Sequence, residues 1–391
     1  MIDSPTPRIV IAPDSYKGSL DAEHVAQAIA RGVLRAIPHA RLSRCPMADG
    51  GEGTLQAMLH AGGTRHMVTV RDAGGTPRQA PVAMLADGSA LIESAEIVGL
   101  TDTHAMATPV AARSTDGVGD AIAALLDRGV RRILLALGGS STNDGGSGML
   151  RALGARLLDG AGADVAPGPA GLAALARVDL TGLDPRFDPR RGQVTLIGMS
   201  DVTNPLCGSD GATAVFGPQK GVQPAEVATL DAALAHYSRL LATACGVDHA
   251  AVPGAGAAGG LGYALTMLGG SLQSGAELVC AQLQLDKHLD GADWLITGEG
   301  RSDGQTLQGK APCVAARHAR AHGVPASLLS GAVDPAALIA LNHAFDGCFS
   351  IVPGPLPLSL AIEEAAVFAE AAAAQMAGLW FAAWTRPRRK F

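Results

Sequence analysis

Arg8-Ile9-Val10-Ile11-Ala12-Pro13-Asp14-Ser15-Tyr16-Lys17-Gly18-Ser19 is the stretch on which the fold turns. The β-branched run Arg8–Ala12 reads as a strand, and Pro13 ends it in a turn. Asp21 to Ile37 follows with Val25, Ile29, Val33 and Ile37 at steps of four, the apolar stripe of a helix. Ser19 or Asp21 can cap its start, and Pro38 stops it. Strand, loop and helix return in that order at Arg132–Leu137, Val194–Ile197, Trp294–Thr297 and Ala326–Leu329. Such alternation predicts an α/β fold with parallel strands and helical crossovers.

One region departs from this rhythm. Met67–Val70, Val82–Leu85 and Ala90–Glu93 are short strands joined by Gly-Gly-Thr-Pro and Asp-Gly turns, with no helix between them, and predict antiparallel hairpins. A second domain therefore begins near residue 65. The segment from Asp159 to Arg191, rich in Gly, Pro and Asp, reads as a surface excursion.

Composition limits the function classes. The 391 residues are 48% hydrophobic but only 3% aromatic, and they include 50 glycines and 23 prolines. That is too apolar for disorder, so the glycine belongs to loops. A formal net charge of -6 makes a poor holder of nucleic acid, and the basic cluster Arg386, Arg388, Arg389, Lys390 reads as a solvated tail. The cysteines (Cys45, Cys207, Cys245, Cys280, Cys313, Cys348) form no C-x-x-C pair, which suits free thiols in a reducing cytosol. No signal-peptide pattern is visible at the start. The nearly apolar stretch Ala371–Trp384 reads as too short to span a bilayer. The expectation is a soluble, cytoplasmic protein.

The glycine falls in six clusters, mostly where expected strands end. In open α/β sheets ligands sit at those ends. Asp14–Ser19 puts Lys17 in a strand-to-helix turn, where it can meet a phosphate. Met47-Ala-Asp49-Gly-Gly-Glu52-Gly-Thr54 offers Asp49 and Glu52 as magnesium ligands or as acid and base. Leu137 to Gly148, with Gly138, Gly139, Ser140, Ser141, Asn143 and Asp144, leaves bare backbone suited to cradling an anion. Ser200-Asp201-Val-Thr-Asn204-Pro, continuing to Lys220-Gly221, closes a strand with a candidate base and an amide. Pro253–Gly262 contains G-x-G-x-x-G, and Glu277 follows about where a dinucleotide fold wants its ribose acid, but no firm strand precedes it. Thr297 to Pro312 carries Glu299, Gly300, Arg301, Asp303 and Lys310. Its Gly304–Lys310 matches G-x-x-x-x-G-K, with Ala311 where a P-loop needs Ser or Thr. No G-x-S-x-G elbow appears. Acids, amides and lysines with little apolar lining favour phosphoryl transfer, which needs positioning, cations on the phosphates, magnesium and one proton acceptor.

Seven motifs within these clusters, matching in order from residue 9 to about 335, closely resemble the type 1 glycerate kinases of bacteria. They are Asp14-Ser-Tyr-Lys-Gly-Ser-Leu, Met47-Ala-Asp-Gly-Gly-Glu-Gly-Thr, Gly138-Gly-Ser-Ser-Thr-Asn-Asp-Gly-Gly, Asp201-Val-Thr-Asn-Pro-Leu, Phe216-Gly-Pro-Gln-Lys-Gly, Gly254-Ala-Gly-Ala-Ala-Gly-Gly and Thr297-Gly-Glu-Gly-Arg. The resemblance implies ATP- and Mg²⁺-dependent phosphorylation of D-glycerate, for many members to 2-phosphoglycerate, in glyoxylate or sugar-acid catabolism. It also implies a flavodoxin-like parallel-sheet domain from both chain ends, here 1–65 with 286–391, interrupted by a mixed-sheet domain, here 66–285. Asp116 stands where an aromatic or apolar residue is expected before Gly117, and Tyr16 replaces the commoner Phe.

Residue chemistry then suggests roles in a cleft between two domains. Lys17 and Lys310 neutralise phosphates, with Gly138, Gly139, Ser140, Ser141 and Gly300 around the nucleotide. Arg301 grips a phosphate or the glycerate carboxylate. Asp201 or Asp303 takes the hydroxyl proton, the other helping Asp49 and Glu52 hold Mg²⁺. Asn143, Asp144 and Asn204 bind glycerate hydroxyls. No nucleic-acid or membrane partner is expected, and a homodimer is left open. Two rival readings are a dinucleotide-dependent dehydrogenase of a small hydroxy acid and a non-catalytic binder of acidic metabolites.

Overall fold

The computed structural model describes residues 6–188, 192 and 194–385. The basic cluster Arg386–Lys390 lies outside the described residues. The chain divides into two compact units, Met1–Asp49 with Ala276–Phe391, and Gly50–Gly275. The boundaries fall after Asp49 and Gly275 rather than after residues 65 and 285. The first difference has a plain cause: the helix Thr54–His60 packs on the mixed sheet, its first turn hydrogen-bonded to Glu93.

In chain order, the first unit opens with β1 (Arg8–Ile11), α1 (Ala22–Ala36) and β2 (Arg41–Arg44). The second unit holds α2 (Thr54–His60), β3 (Thr64–Arg71), β4 (Pro77–Met84), β5 (Ala90–Glu93), α3 (Asp116–Asp127), β6 (Arg132–Ala136), α4 (Ser147–Ala152), β7 (Thr195–Met199), α5 (Ala257–Met267) and β8 (Ser271–Gln273). The chain returns through α6 (Gly275–Gln282) to β9 (Trp294–Thr297), α7 (Ala311–Ala321), β10 (Ala326–Ser330), β11 (Gly347–Ser350) and α8 (Ala365–Trp384).

In the first unit the sheet order is β11-β10-β9-β1-β2, parallel throughout. This is the flavodoxin-like order, with its switch point between β1 and β9. Asp21 caps α1, its carboxylate accepting from His24 N–H at 2.8 Å, and the step-of-four stripe Val25, Ile29, Val33 is buried. On α1, Gly32 lets α8 come close, since a Cβ there would stand 2.2 Å from the Glu370 carbonyl. Trp294 of β9 stacks on Trp380 of α8, ring centroids 4.9 Å apart.

Among the described residues α8 is the one helix long and apolar enough to cross a membrane, so the shorter stretch read from the sequence is corrected to 20 residues. Its Ala369, Ala373 and Ala377 are buried, α8 packs on α1, and Arg31 Nε donates to Glu370 at 2.7 Å. The helix thus serves as the outer layer of this core.

In the second unit the order is β8-β7-β6-β5-β4-β3. The β3–β4 and β4–β5 pairs are antiparallel, the rest parallel, which makes the mixed sheet. The expected surface excursion is partly interior: Leu157, Leu172, Leu175, Val178 and Phe187 join the unit's core, around a small antiparallel pair Arg156–Leu158 with Arg177–Asp179. Periodicity missed it because its strands are three residues long. Asp116, the odd residue before Gly117, is buried and ion-paired, accepting from Arg151 Nη2 at 2.5 Å.

Candidate active site

The loops leaving β1 and β9 run side by side at the switch point. Asp14 N–H donates to the Gly298 carbonyl at 2.8 Å, and Tyr16 Oη donates to the Leu329 carbonyl at 2.7 Å. Gly298 is required by contact, because a Cβ would stand 1.7 Å from the Leu329 carbonyl oxygen. A Cβ on Gly300 would sit 3.0 Å from Lys17 N. The backbone conformation of the β9 loop is therefore set by its neighbours, and Lys17 is held exposed beside it.

Carboxylates crowd this strand end. Burial pushes the Asp14 carboxyl well above the usual range, and the charges of Asp49 and Glu299 push it further. Glu299, 7% exposed, is raised by burial and steadied by donors: Thr306 Oγ1 at 2.6 Å, Ser302 Oγ at 3.1 Å and Lys310 Nζ at 3.5 Å. Asp303 accepts from Gln305 N–H at 2.8 Å and forms a capping box with Thr306. Arg301 is mostly exposed, 3.9 Å from Asp334.

In the second unit the Asp49–Thr54 turn, from Gly50 onward, meets the Gly138–Gly139 turn. A Cβ on Gly138 would lie 2.5 Å from Gly51 Cα, and one on Gly139, whose φ is 76°, 2.9 Å from Glu52 Cγ. Glu93 accepts from Gly53 N–H at 3.1 Å and Leu55 N–H at 2.7 Å at the start of α2, and burial pushes it up to about 7. Glu52, Gly53, Glu93 and Glu96 share a polar cavity of about 530 Å³ with the Arg78–Asp102 pair.

Asp144 is fully buried. Its carboxylate accepts from Thr115 N–H, Thr115 Oγ1, Gly146 N–H and Gly148 N–H at 2.9, 2.9, 3.1 and 3.1 Å. It binds the loop to itself and to Thr115. Asn143 is also buried: Nδ2 donates to Thr213 Oγ1 at 2.9 Å, while Oδ1 has no partner among the described residues. Ser141 N–H and Oγ both donate to the Val98 carbonyl. Asn204 Nδ2 donates to the Asp210 carbonyl at 2.8 Å, and Asp201 follows β7, half-buried.

No group of three or more His, Cys, Asp or Glu arranged for a metal ion occurs among the described residues. Magnesium asks for less, usually one or two carboxylates with phosphates and waters completing its shell. The mutual repulsion of Asp14 and Asp49 is what a cation relieves.

The Glycerate kinase family profile matches residues 9–381. The chain belongs to the glycerate kinase family. It is 41% identical over 373 residues to a glycerate kinase of Bacillus subtilis (strain 168), covering 95% of this chain and 97% of that one. It is 41% identical to a glycerate 2-kinase of Escherichia coli (strain K12), over 88% of this chain and 90% of that one. A crystal structure from Salmonella typhimurium LT2, provisionally named glycerate kinase 2, superposes with a TM-score of 0.83 at 40% identity, covering 98% of this chain and all of that one. This family member is an enzyme, a kinase.

The kinase's Gly254–Gly259 run is no dinucleotide loop, since it follows a turn and not a strand. Its left-handed Ala258, Gly259 and Gly260 pack on residues 142–145, with Gly145 N–H donating to the Gly259 carbonyl at 2.9 Å. Glu277 is paired with Arg317 and His318. Sequence reading gave no role to Asp14, Glu93, Arg113 or Lys220. Asp14 and Lys220 stood inside quoted motifs, but the half-burial of the one and the full burial of the other are tertiary properties with no local signal.

Proposed function

We propose that this chain transfers the γ-phosphoryl group of ATP to D-glycerate, giving 2-phosphoglycerate, with Mg²⁺ required. The observation that carries the reading is the gathering of Asp14, Lys17, Asp49, Glu299, Arg301 and Lys310 around the carboxyl ends of β1, β2 and β9, in a chain of this family. Lys17 and Lys310 neutralise phosphate oxygens. Gly300 and the turn Gly138-Gly139-Ser140-Ser141 let backbone approach an anion closely. Arg301, little committed in the protein, grips a phosphate or the carboxylate of glycerate. Bound Mg²⁺ supplies charge neutralisation at the phosphates, and Asp49 with Asp14 would hold it. Asp201 takes the proton of the acceptor hydroxyl; Asp303 is the second candidate, because one of its oxygens is engaged in the cap. Asn204 and the unpartnered oxygen of Asn143 bind glycerate hydroxyls, whereas Asp144 is consumed in holding its loop. The free cysteines accord with a cytoplasmic enzyme.

The test is coupled ADP release with D-glycerate and Mg-ATP, followed by proton-coupled ³¹P spectra of the product. A doublet, from the single proton on C2, is expected; a triplet means the 3-hydroxyl is the acceptor, and no ADP release overturns the reading.

A further inference from the structure

Two buried cations lie against the loop 138–144 with no task in the reaction described so far. Lys220 is 2% and Arg113 4% exposed. Lys220 Nζ donates to the Thr142 carbonyl at 2.7 Å and to Ser140 Oγ at 3.4 Å. Arg113 Nη1 donates to the carbonyls of Lys220 at 2.9 Å and Ser141 at 3.3 Å, while its Nε and Nη2 donate to the carbonyls of Thr108 and Met106. Burial draws the Lys220 ammonium down to about 7, with Asp144 opposing and Arg113 adding to the shift. Burying cations is costly, so their retention here calls for a reason beyond filling space.

The reason lies in the peptide planes. In a planar trans peptide the C=O and N–H point in opposite directions. Arg113 draws the Ser141 carbonyl inward, which turns the Thr142 N–H the other way; Lys220 does the same to the Thr142 carbonyl and the Asn143 N–H. The flanking amides of Gly138, Ser141 and Gly145 are bonded to the carbonyls of Gly50, Val98 and Gly259. Those of Thr142 and Asn143, like those of Gly139, Ser140 and Asp144, have no acceptor among the described residues. Buried N–H groups are seldom left so. Beside them Thr142 Oγ1 and Asn143 Oδ1 are also buried and unpartnered among the described residues. Successive N–H groups turned one way make an anion-binding concavity.

We propose that Lys220 is a positioning residue for phosphoryl transfer: it pins the Thr142 carbonyl inward so that the Asn143 N–H, beside the Thr142 N–H, faces an anionic oxygen of the reacting ligands. This rests on reading the chain as a glycerate kinase. Lys220→Met keeps the length of the side chain and removes the donor. Steady-state kinetics with D-glycerate and Mg-ATP should show kcat lowered about 10²-fold, as for loss of a preorganised donor, with both KM values nearly unchanged and the thermal midpoint kept. The alkaline decline of kcat in the wild type should be absent from the variant. Wild-type kcat in folded Lys220→Met overturns the proposal.

A titration of the wild-type protein with inorganic phosphate, followed by its amide resonances, decides the matter if the variant does not fold. The Asn143 and Thr142 signals are expected to shift, and unmoved signals overturn the proposal. Absence of wild-type turnover with glycerate sinks the functional reading instead, and the phosphate titration still judges the loop.

Discussion

Lys310 Nζ stands 3.5 Å from Glu299 Oε2, so the lysine assigned to a phosphate is paired with a carboxylate that is itself held by Thr306 and Ser302. Glu299 keeps the ammonium at the strand end without neutralising it fully, since its second oxygen is shared between two hydroxyls. Lys310→Met should raise KM for Mg-ATP at least about tenfold, the effect of losing one charge-assisted contact. Steady-state kinetics at saturating glycerate checks this, and an unchanged KM removes Lys310 from the nucleotide.

Gly298→Ala should destabilise the first unit by about 1–3 kcal/mol, because the added methyl meets the Leu329 carbonyl at the β9–β10 junction. Gly304→Ala, with open space around its Cβ position, should leave stability nearly unchanged. Urea unfolding of the two variants gives the comparison.

Asp201→Asn is expected to lower kcat by about 10²–10⁴-fold, the range for loss of a general base. Asp303→Asn should keep its cap, since Asn caps as well as Asp, and should retain most of the turnover. If Asp201→Asn keeps wild-type kcat while Asp303→Asn loses it, the two roles are exchanged.

His318 lies between Glu277 and Asp286, Nε2 at 2.9 Å and Nδ1 at 2.7 Å, with Arg317 and His322 on the same carboxylates. Burial works to lower its pKa, but the hydrogen bonds to Asp286 and Glu277 outweigh it and the net shift is upward. A raised histidine binds its proton more tightly folded than unfolded. Its stabilisation is therefore full below the unfolded pKa and is lost as pH rises through the folded one. The difference in thermal midpoint between wild type and His318→Leu should be largest near pH 6 and shrink toward pH 9. A difference that stays constant or grows with pH excludes the protonated bridge.

Strand β1 and helix α1 of the flavodoxin-like unit were legible in residues 8–37, because a β-branched run and a step-of-four stripe are local periodicities; the short strands β2 and β11 were not. The hairpins after residue 65 were legible for the same reason. The loops were legible as glycine beside Asp, Asn and Lys, a consequence of backbone that must leave a strand and approach a ligand. Sequence spacing did not show that Asp144 spends its carboxylate on Thr115 and the Gly146 and Gly148 amides, or that Asp303 is a cap. The Asp144 assignment depends on Thr115 arriving from elsewhere in the chain, whereas the Asp303 cap is local, its partners Gln305 and Thr306 lying two and three residues on.

Composition, periodicity and ordered motifs by themselves determined the α/β class and the phosphoryl-transfer character, since each is written in residue types and their spacing; the discontinuous first unit was implied by the family resemblance that those motifs carry. Only the tertiary structure decided which groups share a charge environment. Asp14 is raised because burial, Asp49 and Glu299 act on it together, and Lys220 is buried against a loop some eighty residues earlier. Desolvation and Coulomb interaction depend on distance in space, and folding sets that distance independently of separation along the chain.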